Sequence, residues 1–142
     1  MFTCSKTYND IAFAHRQHQH GGQCSLIHGH NWSFVFTFGC KALDERGFVV
    51  DFGKLKFIRA WIEEKLDHAY VYNASDAKTV ELIQKNPDMF KGYEVESCSA
   101  EGIAKHALET IAPLLREHHG DRVSLIAVEV LEDSRNSARY CP

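Results

Sequence analysis

The chain has 142 residues, 44% of them hydrophobic and 25% charged, and 16 Lys and Arg against 19 Asp and Glu give a formal net charge of −3. This size and balance fit one soluble domain over residues 1–142 and exclude a disordered chain, a coiled coil and a collagen-like repeat. The charges are interspersed and no apolar run approaches the roughly 18 residues of a membrane span, so nucleic acid and membrane are not expected partners; a small molecule or a protein is.

Taken in chain order, the residues from Met1 to Lys6 lack the charged-then-apolar order of a signal peptide, and cytoplasmic residence is expected. Thr3–Ala14 is predicted as a strand. From Asn31 to Cys40 the alternation is strict, with Trp32, Phe34, Phe36 and Phe38 on one face and Ser33, Val35 and Thr37 on the other, the pattern of a half-buried antiparallel strand. Phe48–Phe52 follows the turn-like Asp44-Glu45-Arg46-Gly47, so residues 31–52 are predicted to form a hairpin. Leu55, Ile58, Ile62 and Leu66 follow helical spacing. Ser75–Met89 is predicted to hold a short helix that stops at Asn86-Pro87. A longer helix is predicted from an N-cap at Ser99 through Ile111, with Pro113 as a kink. Arg122–Glu132, rich in β-branched residues, is predicted as an interior strand. Strands, then helices, then a returning strand is an α+β order, with the helices expected on one sheet face.

Nine histidines are present, and His15, His18, His20, His28 and His30 crowd into sixteen positions. The five cysteines, Cys4, Cys24, Cys40, Cys98 and Cys141, are odd in number and irregular in spacing, which fits free thiols rather than a disulfide framework. In an extended His28-Gly29-His30 the two imidazoles point to one side and can share a metal, with His15 as third ligand if its strand lies alongside. Three histidines leave a zinc position for water or substrate, as in catalytic sites; a solvated histidine-rich loop is the alternative. Cys24 is a candidate base or nucleophile, or else a fourth ligand closing a structural zinc site. Asp67-His68 pairs a carboxylate with an imidazole for acid–base work, although a histidine at a helix C-terminus also has a dipole explanation. Glu101 in a first helical turn and Glu132 at a strand end have equally ordinary explanations.

Together these residues resemble the 6-pyruvoyltetrahydropterin synthase and 6-carboxytetrahydropterin synthase family. The resemblance rests on Ala14-His15-Arg16, Cys24-x-x-x-His28-Gly29-His30, Gly47-x-x-x-Asp51-Phe52-x-x-Leu55-Lys56, Leu66-Asp67-His68, Ser99-Ala100-Glu101, and Glu132 with Tyr140 eight positions on. It implies His15, His28 and His30 as Zn2+ ligands, Cys24 as catalytic cysteine, Asp67 and His68 as a proton relay, and Glu101 and Glu132 as pterin-binding carboxylates. It further implies 7,8-dihydroneopterin triphosphate as substrate. The three-residue gap between Cys24 and His28 is the pattern of the carboxytetrahydropterin enzymes of queuosine and deazapurine biosynthesis. A pyruvoyl-forming enzyme, a side-chain aldolase and a noncatalytic zinc module are the alternatives. The fold implied is the tunnelling fold, a four-stranded antiparallel sheet with two helices on one face, assembled into a trimeric barrel or a hexamer with active sites between subunits. Departures from the family pattern are Ile11, the extra His18 and His20, Asn73 five positions after His68, Ser99 without a preceding proline, and a longer 74–97 connection.

Overall fold

Two long strands form the spine of the molecule, and the computed structural model describes residues 1–142 around them. β1 (Phe2–His15) and β2 (His28–Cys40) pair antiparallel from Phe2↔Cys40 to His15↔His28, with a bulge between Tyr8 and Ile11. The alternation in β2 does what its period predicts: Trp32, Phe34, Phe36 and Phe38 are fully buried. β1 turns Ile11 and Phe13 to the same core, and Phe13 stacks on Trp32 with ring centroids 4.4 Å apart.

After β2 the chain runs through turns to α1 (Lys56–Trp61), which continues as a π-helical turn over Ile62–Leu66. The four spaced aliphatics, Leu55, Ile58, Ile62 and Leu66, are all buried. β3 (Tyr70–Asn73), α2 (Ala77–Lys85) and β4 (Gly92–Val95) form a strand–helix–strand unit with parallel pairing. α3 (Ala100–His119) passes through Pro113 without a break and packs on β5 (Ser124–Leu131) and β6 (Ser137–Tyr140). Ser99 caps it as expected, its Oγ accepting the Gly102 N–H at 3.1 Å. A Cβ at position 102 would sit 2.4 Å from the Ser97 carbonyl oxygen, so this first turn requires glycine.

The sheet order is β4-β3-β1-β2-β5-β6. The expected four antiparallel strands are present as β1, β2, β5 and β6, but the sheet has six strands and is mixed, because β3 joins β1 in parallel and β4 joins β3. Likewise there are three α-helices rather than the two the resemblance implies; the additional one, α2, is the short helix predicted within Ser75–Met89, and it stops at Lys85, just before Asn86-Pro87. The predicted 31–52 hairpin does not form. Phe48–Phe52 is not a strand, and the partner of β2 on that side is β5. Val49 and Val50 are buried all the same, and Arg122 answers the local backbone by donating to the carbonyls of Ala42, Phe48 and Val49. One core of 29 buried residues draws on the sheet, α1 and α3. No helix is long and apolar enough to cross a membrane.

Candidate metal centre and adjoining cavity

At one end of the sheet, three core-facing rows end in side chains that could hold a metal. On β1 the row Ile11, Phe13 ends in His15; on β2 the row Phe36, Phe34, Trp32 ends in His30 and His28; Glu132 continues the row Val128, Val130 just past β5. Strand register therefore gathers them: His15 lies opposite His28 and Phe13 opposite His30, and Ser33 pairs with Leu131, the residue before Glu132. One ligand atom from each of His15, His28, His30 and Glu132 falls within 4.8 Å of all the others. The Trp32 ring floors the cluster, meeting the His15 and His30 rings edge-on at centroid distances of 4.9 and 5.2 Å.

Hydrogen bonds to backbone carbonyls set the tautomers. His15 Nδ1 lies 2.7 Å from the Cys98 carbonyl oxygen and His28 Nδ1 lies 2.7 Å from that of Leu26. A carbonyl only accepts, so each Nδ1 donates, and in the neutral ring that leaves the lone pair on Nε2. His15 and His30 Nε2 are buried without a hydrogen-bond partner, and both face one Glu132 oxygen, at 3.3 and 3.2 Å. Burial pushes the His15 pKa down, with His28 and His30 adding to that, against the opposing pull of the Cys98 hydrogen bond and Glu132. Three convergent imidazoles, two of them with orphaned inward nitrogens, with a carboxylate beside them, offer donors that fit a divalent transition metal.

Cys24 lies outside this group. It is exposed on a single 3₁₀ turn, Gln23–Ser25, and lines a cavity of about 520 Å³ that Glu132 borders and that Glu101, His20, Ser99 and Arg135 also line. The fourth group beside the histidines is thus Glu132 and not Cys24, which removes the support for a site closed by the thiol. His18 and His20 also lie outside the group; His18 Nε2 is 3.3 Å from Ser75 Oγ, and His20 Nδ1 accepts from the Gly22 N–H.

The structure does not bring Asp67 and His68 to this cavity. They follow the π-helical turn, where His68 takes a left-handed conformation (φ 62°) and donates its N–H to the Ala12 carbonyl at 2.7 Å. Their side chains meet at 3.1 Å, and His68 lines a second hollow, about 500 Å³, with Ala12, Ala14, Gly29, His30 and Asn31. Sequence reasoning assigned Glu132 to substrate and missed its place among the imidazoles. The available signal was its parity with Val128 and Val130.

A family model described as 6-pyruvoyl tetrahydropterin synthase matches residues 3–142. A 6-carboxy-5,6,7,8-tetrahydropterin synthase from Rickettsia bellii (strain RML369-C) is 33% identical over 118 residues, covering 82% of this chain and 85% of that protein. The protein of the same name from Aquifex aeolicus (strain VF5) is 28% identical over 123 residues, covering 83% and 75%. Among solved structures, an uncharacterized protein from Wolinella succinogenes superposes with a TM-score of 0.84 at 19% identity, covering 99% of this chain and 97% of that one. The 6-pyruvoyl tetrahydropterin synthase of Caenorhabditis elegans superposes with a TM-score of 0.66 at 21% identity, covering 99% and 95%.

Proposed function

The chain belongs to the 6-pyruvoyl tetrahydropterin synthase family, and from that premise we propose that it is a zinc-dependent lyase that converts 7,8-dihydroneopterin triphosphate to 6-carboxy-5,6,7,8-tetrahydropterin. One water is consumed in the carbon–carbon cleavage, acetaldehyde and triphosphate are the other products, and queuosine and deazapurine biosynthesis is the use. The names of the relatives support the carboxytetrahydropterin branch, as does the three-residue gap between Cys24 and His28. Residues 1–142 act as one pterin-synthase-like domain in a cytoplasmic homo-oligomer, a trimer or a hexamer of two stacked trimers.

The observation that carries this reading is the convergence of the His15, His28 and His30 imidazoles with two of their inward nitrogens left without a protein hydrogen bond. His15, His28 and His30 would hold the zinc, which would supply Lewis acidity to make a carbon-bound proton of the substrate side chain easier to remove. Cys24, in the adjoining cavity, takes that proton as the thiolate. Glu132 borders both the imidazoles and the cavity, and with Glu101 it accepts the ring N–H and exocyclic amino group of the pterin edge. His68, oriented by Asp67 at 3.1 Å, supplies the complementary proton. Because His68 opens on a separate hollow from Cys24, the pair serves the Cys24 cavity of a neighbouring subunit.

Incubation of the zinc-loaded protein with 7,8-dihydroneopterin triphosphate, followed by mass identification of products, tests the assignment. The expected result is 6-carboxytetrahydropterin with acetaldehyde. Triphosphate elimination to a pyruvoyl product without acetaldehyde would move the protein to the other branch of its family.

A further inference from the structure

The turn that carries Cys24 has no packing of its own, since none of its three residues is buried. Few contacts tie it to the rest of the molecule. Gln17 donates its backbone N–H to the Cys24 carbonyl at 2.7 Å, and Arg16 Nη1 donates to the Ser25 carbonyl at 3.3 Å. The rest of the Arg16 fork is on Asp76, with Nε to Oδ2 at 2.7 Å and Nη2 to Oδ1 at 3.3 Å. Asp76 is only 3% exposed, and it caps α2, accepting from the Thr79 backbone at 3.3 Å and from the Thr79 hydroxyl at 2.6 Å. The Arg16 carbonyl in turn accepts from the Cys98 thiol at 3.0 Å.

We propose that the Arg16–Asp76 ion pair is a positioning clamp that fixes the Cys24 turn against the imidazole cluster. The proposal rests on the reading of Cys24 as the proton-moving residue, and it gives the long 74–97 segment a role: that segment delivers the buried carboxylate that aims Arg16. A guanidinium suits this role because one planar fork reaches three acceptors on two segments, whereas an ammonium offers a single point of contact. His15, next to Arg16 in the chain, is oriented through the Cys98 carbonyl and not through the guanidinium. The clamp therefore governs the position of the thiol and not the holding of the metal.

Two variants test this, Asp76→Asn and Arg16→Lys, alongside Cys24→Ala. Asparagine is as good an N-cap as aspartate, so Asp76→Asn keeps α2 capped while removing the charge. Zinc content, amide hydrogen exchange, kcat and KM are measured for each. In both variants zinc per chain is expected to equal wild type, and exchange over residues 17–26 to rise about tenfold with β1 and β2 unchanged. A fall in kcat of about tenfold or more with KM within about twofold is expected from a misplaced thiol. Wild-type exchange over 17–26 in both variants, or a rise shared equally by β1 and β2, overturns the clamp. So does a full kcat in both variants where Cys24→Ala is inactive. If Cys24→Ala itself turns over normally, the catalytic reading of Cys24 fails instead, and the exchange data still decide whether the clamp exists.

Discussion

His15 and His28 reach the cluster already oriented, each with Nδ1 committed to a backbone carbonyl and Nε2 turned inward. This division of the two ring nitrogens is the usual means of fixing both the tautomer and the aim of a metal-binding imidazole. Cys24, by contrast, stands in an open cavity outside the ligand group, so its removal leaves the donor set intact. Cys24→Ala is accordingly expected to keep zinc, by metal analysis, and to lose at least about 100-fold in kcat, the lower range for a positioned acid–base group. A zinc-free Cys24→Ala protein would show that the thiol is a ligand after all. The histidines were legible in sequence because His28-Gly29-His30 runs straight into an alternating strand. Asp67-His68 was legible as a pair but not in its placement, since the left-handed backbone at His68 has no sequence marker of the kind a glycine provides.

Elements with one dominant period were read correctly: β2, the buried stripe from Leu55 to Leu66, and α3 with its Ser99 cap. The missed strands β3, β4 and β6 have four residues each, too short for a period to show. Val49 and Val50 misled because burial alone does not make a strand; the Val49 carbonyl accepts from Arg122, from a distant part of the chain. Two predictions belong at this scale. Phe34 is fully buried between Phe13, Phe36 and Trp61, so Phe34→Ala is expected to lower unfolding free energy by about 3–5 kcal/mol in a denaturant titration. At Asp76, burial opposes ionisation, yet hydrogen bonds from Arg16 and Thr79 prevail and hold the carboxyl below the usual carboxylate range. A depressed acid stabilises the fold above its unfolded pKa of about 3.9 and loses that contribution as pH falls further, through the folded value. The stability gap between wild type and Asp76→Asn, from melts at stepped pH, should be full at neutral pH and shrink below about pH 4; a gap constant down to pH 2 contradicts the ion pair.

Viewed whole, the molecule keeps its Cys24 cavity and its His68 hollow apart, while the proposed chemistry needs both. Assembly resolves this if each site combines Cys24 of one subunit with His68 of the next. Inactive Cys24→Ala and His68→Ala proteins, unfolded together and refolded as mixed rings, should then regain up to about one quarter of wild-type turnover, because one site in four receives both intact residues. No recovery in verified mixed assemblies would confine the site to one subunit. What unites all three scales is a group of imidazoles brought together by strand register at one end of the sheet. Native mass spectrometry of the zinc-loaded wild type and His28→Ala tests that group most directly. One zinc ion per wild-type chain and none in a folded His28→Ala protein is the predicted result, and full zinc retention by His28→Ala would contradict the account.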